Sequence, residues 1–141
     1  EELYRALLIS NLSTIYQKKF IGRLSAYCGA VSAGAGAGAG IAYLLGGNYE
    51  NITHTIVNAL AITSGMICDG AKPSCAAKIA SAVDAGIMGC YMYQCGKQFY
   101  CGEGIVQKGI KATIESVGEL ARKGMKGTDE EIIELMIKND K

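Results

Sequence analysis

Large apolar residues recur three and four apart along most of the chain, which is the period of a helix surface and not of a strand. Leu3, Leu7, Leu8, Leu12, Ile15 and Tyr16 predict an amphipathic first helix, with Glu1 and Glu2 near its positive end. Gln17 to Arg23 reads as a polar junction. Beyond it, Gly and Ala alternate from Ala33 to Gly40 in a helix that Gly46-Gly47 should stop. Asn51 to Ser64 predicts a third helix with Ile52, Ile56, Ala59, Leu60 and Thr63 on one side. Gly65 to Lys72 is a loop, and Pro73 opens a helix running toward Tyr91, because the first helical position needs no N–H. Residues 95 to 104 form a glycine-punctuated loop. Ile105, Ile110, Ile114, Val117 and Ala121 mark a fifth helix ended by Gly124. Thr128 and Glu131 have the spacing of a capping box for a last helix, with Ile132, Ile133, Leu135 and Met136 as its buried face. Strand alternation and hairpin turns are missing. The expected fold is all-α: one domain over residues 1–141, of about six helices, around a buried Gly/Ala-rich helix.

The chain has 141 residues, enough to bury a core. Half are hydrophobic and only 19% charged, with a net charge of +1 and no basic cluster. Electrostatic capture of nucleic acid is therefore not expected. Glu50 is the only charged residue between Arg23 and Asp69, a stretch long enough to cross a bilayer. Within its glycine-rich part, however, Val31, Ile41, Leu44 and Leu45 are the only large aliphatics. Glycine at this density gains little from lipid, and each one costs a helix about 1 kcal/mol relative to alanine. Small residues here instead allow close approach of backbones, and no membrane segment is expected. A silk-like tract is not expected either, since the repeat is short and flanked by ordinary globular sequence. No signal peptide or disulfide framework is evident, so the six cysteines are expected to be reduced and the protein cytoplasmic. The chain starts at Glu1 without an initiator Met, and it is expected to be a fragment or processed subunit of something larger.

The most informative chemistry lies in Cys68-Asp-Gly-Ala-Lys-Pro-Ser-Cys75. Two thiols flank a turn at Asp69-Gly70 that leads directly into a helix N-terminus. Cys75 falls in the first helical turn, where free N–H groups and the helix dipole favour a thiolate, the form that binds metal. Cys90, Cys95 and Cys101 also group closely, and by spacing alone they could form a rival metal set or, for Cys95 and Cys101, pair when oxidised. Cys90, beside Ile87 and Met88, reads more simply as a small buried hydrophobe. His54, the only histidine, reads as a partly buried structural residue, and Glu103 as a cap for the following helix. Tyr91, Tyr93 and Tyr100 read as core and interface material.

Gly65-Met-Ile-Cys-Asp-Gly-Ala-Lys-Pro-Ser-Cys75, preceded by Ile21-Gly-Arg-Leu-Ser-Ala-Tyr-Cys-Gly-Ala-Val-Ser-Ala33, closely resembles the C-terminal portion of the L-cysteine desulfidase family. That family is related to the α-chain domain of the iron–sulfur L-serine dehydratases. The resemblance runs from the first helix to Glu130–Met136, nearly the whole chain. It implies an oxygen-sensitive lyase with a [4Fe–4S] cluster held by three cysteines, here Cys28, Cys68 and Cys75, with the fourth iron open to substrate. It implies β-elimination from L-cysteine, giving pyruvate, ammonia and hydrogen sulfide. Gly70, where the serine dehydratases carry proline, and the short interval to Cys75 point to the desulfidase side. An L-serine dehydratase domain is the alternative within the family. The resemblance also implies an N-terminal domain that this chain lacks, holding the α-proton base. Asp69, Lys72 and Ser74 lie close enough in sequence to the ligands to contact substrate or tune the cluster, although each also has an ordinary role in a turn or cap. A second copy is a further conceivable partner. The reading from a different class is a non-catalytic helical metal-binding or regulatory module.

Overall fold

The computed structural model describes residues 1–139. Six helices follow one another: α1 (Glu2–Ile21), α2 (Gly29–Leu44), α3 (Tyr49–Thr63), α4 (Ser74–Gln94), α5 (Ile110–Glu119) and α6 (Lys126–Asn139). A single π-helical turn, Leu120–Gly124, joins the last two. Among the described residues the one extended pairing is the antiparallel bridge between Tyr27 and Ile67. The all-α expectation is met.

The Gly/Ala helix α2 lies at the centre, packed by α1, α3 and α4. Its two-residue alternation, wound on a helix of 3.6 residues per turn, gives three different faces. Gly34 and Gly38 meet α4, where a Cβ on Gly34 would stand 2.3 Å from the carbonyl oxygen of Ala82. Gly36 and Gly40 meet α1, where a Cβ on Gly36 would stand 2.6 Å from the carbonyl oxygen of Ser10. The methyls of Ala35 and Ala39 and the side chain of Val31 enter the core with Ile56, Ala59 and Leu60 of α3. A helix with two bare faces can touch two neighbours at backbone distance while still filling a core with the third.

This arrangement inverts α1. The side facing α2 is small and polar: Ala6, Ser10, Thr14 and Gln17. The Thr14 hydroxyl donates to the carbonyls of Ser10 at 2.9 Å and Ser32 at 3.3 Å, and Gln17 Nε2 donates to Ser13 at 3.1 Å. Gln17 and Ile21, in what the sequence suggested was a junction, are buried parts of the same helix. The expected apolar stripe, Leu3, Leu7, Leu8, Leu12, Ile15 and Tyr16, is exposed. Only short side chains fit against the glycines of α2, so the bulky residues are turned outward.

The helix ends differ from expectation in detail. Asn48 and Asn51 cap α3 reciprocally, each side chain accepting from the other's N–H at 3.1 Å, so the helix starts earlier than Asn51. Ile105 lies in the loop before α5. The helix of α6 begins at Lys126, which places Thr128 inside it and removes the capping box. Ile133, Leu135 and Met136 are exposed, because α6 packs chiefly on the π turn and has little to bury against. The carboxylate of Glu103 accepts from the Tyr100 N–H at 2.6 Å inside its own loop, seven residues before α5, and caps no helix. Buried Asn58 ties α3 to α4 and to the 95–104 loop, donating to Gly89 O and accepting from Phe99 N, both at 3.1 Å. No helix among the described residues is long and apolar enough to cross a membrane.

Candidate metal centre

Three chain segments meet beside the N-termini of α2 and α4. Residues 26–28 run antiparallel to residues 66–68, with the Cys28 N–H donating to Met66 O at 3.1 Å and the Cys68 N–H to Ala26 O at 2.6 Å. Side chains two apart on an extended segment leave on the same face, and directly opposed residues share that face. This two-bond ladder therefore sends Cys28 and Cys68 to one side, although forty residues separate them. Tyr27, between the ladder bonds, points into the core and is 1% exposed. Ser25 fixes the approach to the ladder: its hydroxyl donates to Ala121 O in the π turn at 2.9 Å and accepts from the Tyr27 N–H at 3.0 Å.

Cys75 reaches the same place from the first turn of α4. Gly70 adopts φ 94°, a left-handed conformation that turns the loop back, and the Cys75 thiol donates to its carbonyl at 3.5 Å. All three cysteines line a cavity of about 370 Å³, together with Gly29, Ala30, Ala33, Gly70, Ala71, Lys78 and Ile79. Cys28 is buried, while Cys68 and Cys75 are half-buried. The positive ends of α2 and α4 both face this space, as expected of a site for anionic groups.

Lys78 contributes the cavity's one charged side chain. The sequence reading passes over it, although its position three residues beyond Cys75 puts both on one face of α4. Its ammonium donates to Ile67 O at 2.8 Å and is paired with the Asp69 carboxylate, which Lys72 also grips from the other side. These two hydrogen-bonded lysines hold the Asp69 carboxyl down at about 2. The Asp69 hydrogen bond raises Lys78, and the nearby Cys28 and Cys75 add to that effect.

Of the six residues singled out beforehand, the three cysteines share the cavity. Asp69, Lys72 and Ser74 do not line it. Asp69 and Lys72 act as the clamp on Lys78 and the turn, and Ser74 is an exposed first residue of α4. Among the described residues, no three of His, Cys, Asp and Glu crowd closely enough to hold a single metal ion. That includes Cys90, Cys95 and Cys101. Cys90 is buried in α4, and the other two are exposed around the 95–104 loop. His54 stacks on Tyr93, with rings 4.4 Å apart and inclined by 8°. Tyr91 and Tyr100 are exposed.

The model of the serine dehydratase alpha chain family matches residues 1–134. A UPF0597 protein of Desulfitobacterium hafniense is 64% identical over 137 residues, covering 97% of this chain and 32% of the relative. One from Lachnoclostridium phytofermentans is 61% identical, covering 97% and 33%. One from Treponema denticola is 51% identical, covering 99% and 32%. The chain thus spans about a third of the length of the curated relatives it matches. No solved structure matches it. With the match extending from the first helix into α6 and taking in every residue of the thiol cavity, the chain belongs to the serine dehydratase alpha chain family.

Proposed function

We propose that this chain is the cluster-bearing part of a [4Fe–4S] lyase that eliminates hydrogen sulfide from L-cysteine, with pyruvate and ammonia as the other products. The observation that carries this reading is the convergence of Cys28, Cys68 and Cys75 on one cavity. Three soft thiol donors without a carboxylate among them suit iron–sulfur ligation better than a hard cation. A cubane spreads its ligands over separate irons, so its thiolates stand farther apart than the ligands of one ion. When bound by three cysteines, such a cluster supplies a Lewis-acid iron for the substrate.

The chain's own residues then have distinct tasks. Cys28 and Cys68, fixed by the two-bond ladder, and Cys75, fixed by the Gly70 turn, hold the group. Lys78 presents an ammonium at the cavity wall that pairs with the substrate carboxylate, and Asp69 keeps its side chain in place. The remainder of the cavity wall is apolar and open to solvent. The α-proton base is not among these groups and belongs to the rest of the longer polypeptide.

Anaerobic reconstitution with iron and sulfide should give a brown protein with a thiolate-to-iron absorption band. Cys28→Ala, Cys68→Ala and Cys75→Ala should each abolish it, and Cys90→Ala or Cys101→Ala should not. The opposite pattern would overturn the assignment. The family description itself favours a second reading, in which L-serine is dehydrated and deaminated by the same cavity. Pyruvate release from cysteine and from serine by the intact Desulfitobacterium relative separates the two. This chain alone should release little sulfide.

A further inference from the structure

The outer face of α1 lacks a partner among the described residues. Leu3, Leu7, Leu8, Leu12 and Ile15 are each 48% to 62% exposed, and residues 6–17 carry no charge. The stripe continues into a groove of about 520 Å³ lined by Leu12, Ile15, Tyr16, Ile56, Ile110 and Ile114. Burying a large aliphatic side chain is favourable, so leaving five of them in water forfeits a substantial stabilisation. A contiguous apolar surface of this kind marks a contact site.

The relatives indicate what covers it. Each aligns with nearly all of this chain yet is about three times as long. In them the domain is joined covalently to roughly twice its own length of polypeptide. A joined segment meets its docking surface at an effective concentration on the order of millimolar, ahead of free proteins or a second copy. Apolar side chains at i, i+4, i+5 and i+9, with a groove alongside, suit the apolar face of an amphipathic helix. We propose that the outer face of α1 and the groove between α1 and α5 seat a helix from the remaining two-thirds of the longer family members. The proposal rests on family membership and not on the lyase reading.

The test places the photo-crosslinker p-benzoylphenylalanine in the intact Desulfitobacterium relative, at the positions aligned with Leu8 and Leu12, and maps the products by mass spectrometry. Cross-links within one molecule to peptides outside the aligned 137 residues are the expected result. Cross-links between two copies, or none at all, would overturn the proposal. In this chain, Leu8→Glu and Leu12→Glu should leave the melting temperature within about 2 °C of the parent. A large fall would show that the stripe belongs to the domain's own core, and would overturn it as well.

Discussion

Gly38 of α2 and Gly86 of α4 meet backbone to backbone: a Cβ on Gly38 would lie 2.7 Å from the Cα of Gly86. No side chain intervenes, and none could without moving one helix. Gly38→Ala is therefore expected to destabilise the domain by about 2–3 kcal/mol through overpacking. Gly29→Ala is the control, since nothing lies within 4 Å of its added methyl, and it should be neutral or stabilise by up to about 1 kcal/mol. Urea denaturation of both variants checks the contrast.

Asp69 predicts the acid limb of the stability profile. Its carboxyl titrates at about 2 in the folded chain, below its ordinary value, because Lys72 and Lys78 donate to the ionised form. The ionised carboxylate thus contributes stability above about pH 4, and that contribution is lost as pH falls through 2. Asp69→Asn should be less stable than the parent at pH 7, with the difference narrowing between pH 4 and 2. A gap that stays constant to pH 2 would contradict this.

Tyr27→Phe should change stability in the unusual direction. The Tyr27 hydroxyl is buried without a hydrogen-bond partner among the described residues, and burial pushes its pKa well up. Removing an unsatisfied buried hydroxyl while keeping the ring is expected to stabilise by about 1 kcal/mol. Thermal unfolding of the variant reads this directly.

The cysteines should separate by accessibility. Brief alkylation of the native chain is expected to label Cys95 and Cys101 first, and Cys90, at 1% exposure, only after unfolding. Peptide mass spectrometry gives the order, and early labelling of Cys90 would place α4 wrongly.

Helix count and type were legible because a 3.6-residue period survives in any packing arrangement. So were the thiols, because Cys68 and Cys75 bracket a turn with its own signature in Asp69-Gly70. Which side of α1 faces inward was not legible. Leucines normally mark the inside, but here the partner is a glycine face that admits only Ala6, Ser10 and Thr14, and that preference is written in α2, a separate helix further along the chain. The capping box at Thr128 failed for a related reason: α6 starts from the π turn at Leu120–Gly124, a backbone feature with no sequence signal of its own. Lys78 was missed because a lone lysine on a helix is ordinarily solvated, and only the fold brings Asp69 and Ile67 O to it.

The alternation of Gly and Ala has a consequence at its far end. Sliding α2 along its axis by one residue would press alanine methyls onto Ala82 and Ser10, where bare backbone now fits. The helix is indexed in place like a toothed rod, and its tip is Cys28. A sulfur atom's placement is thereby governed by hydrogen atoms several turns away, so a methyl added at Gly38 can shift a thiol it never touches.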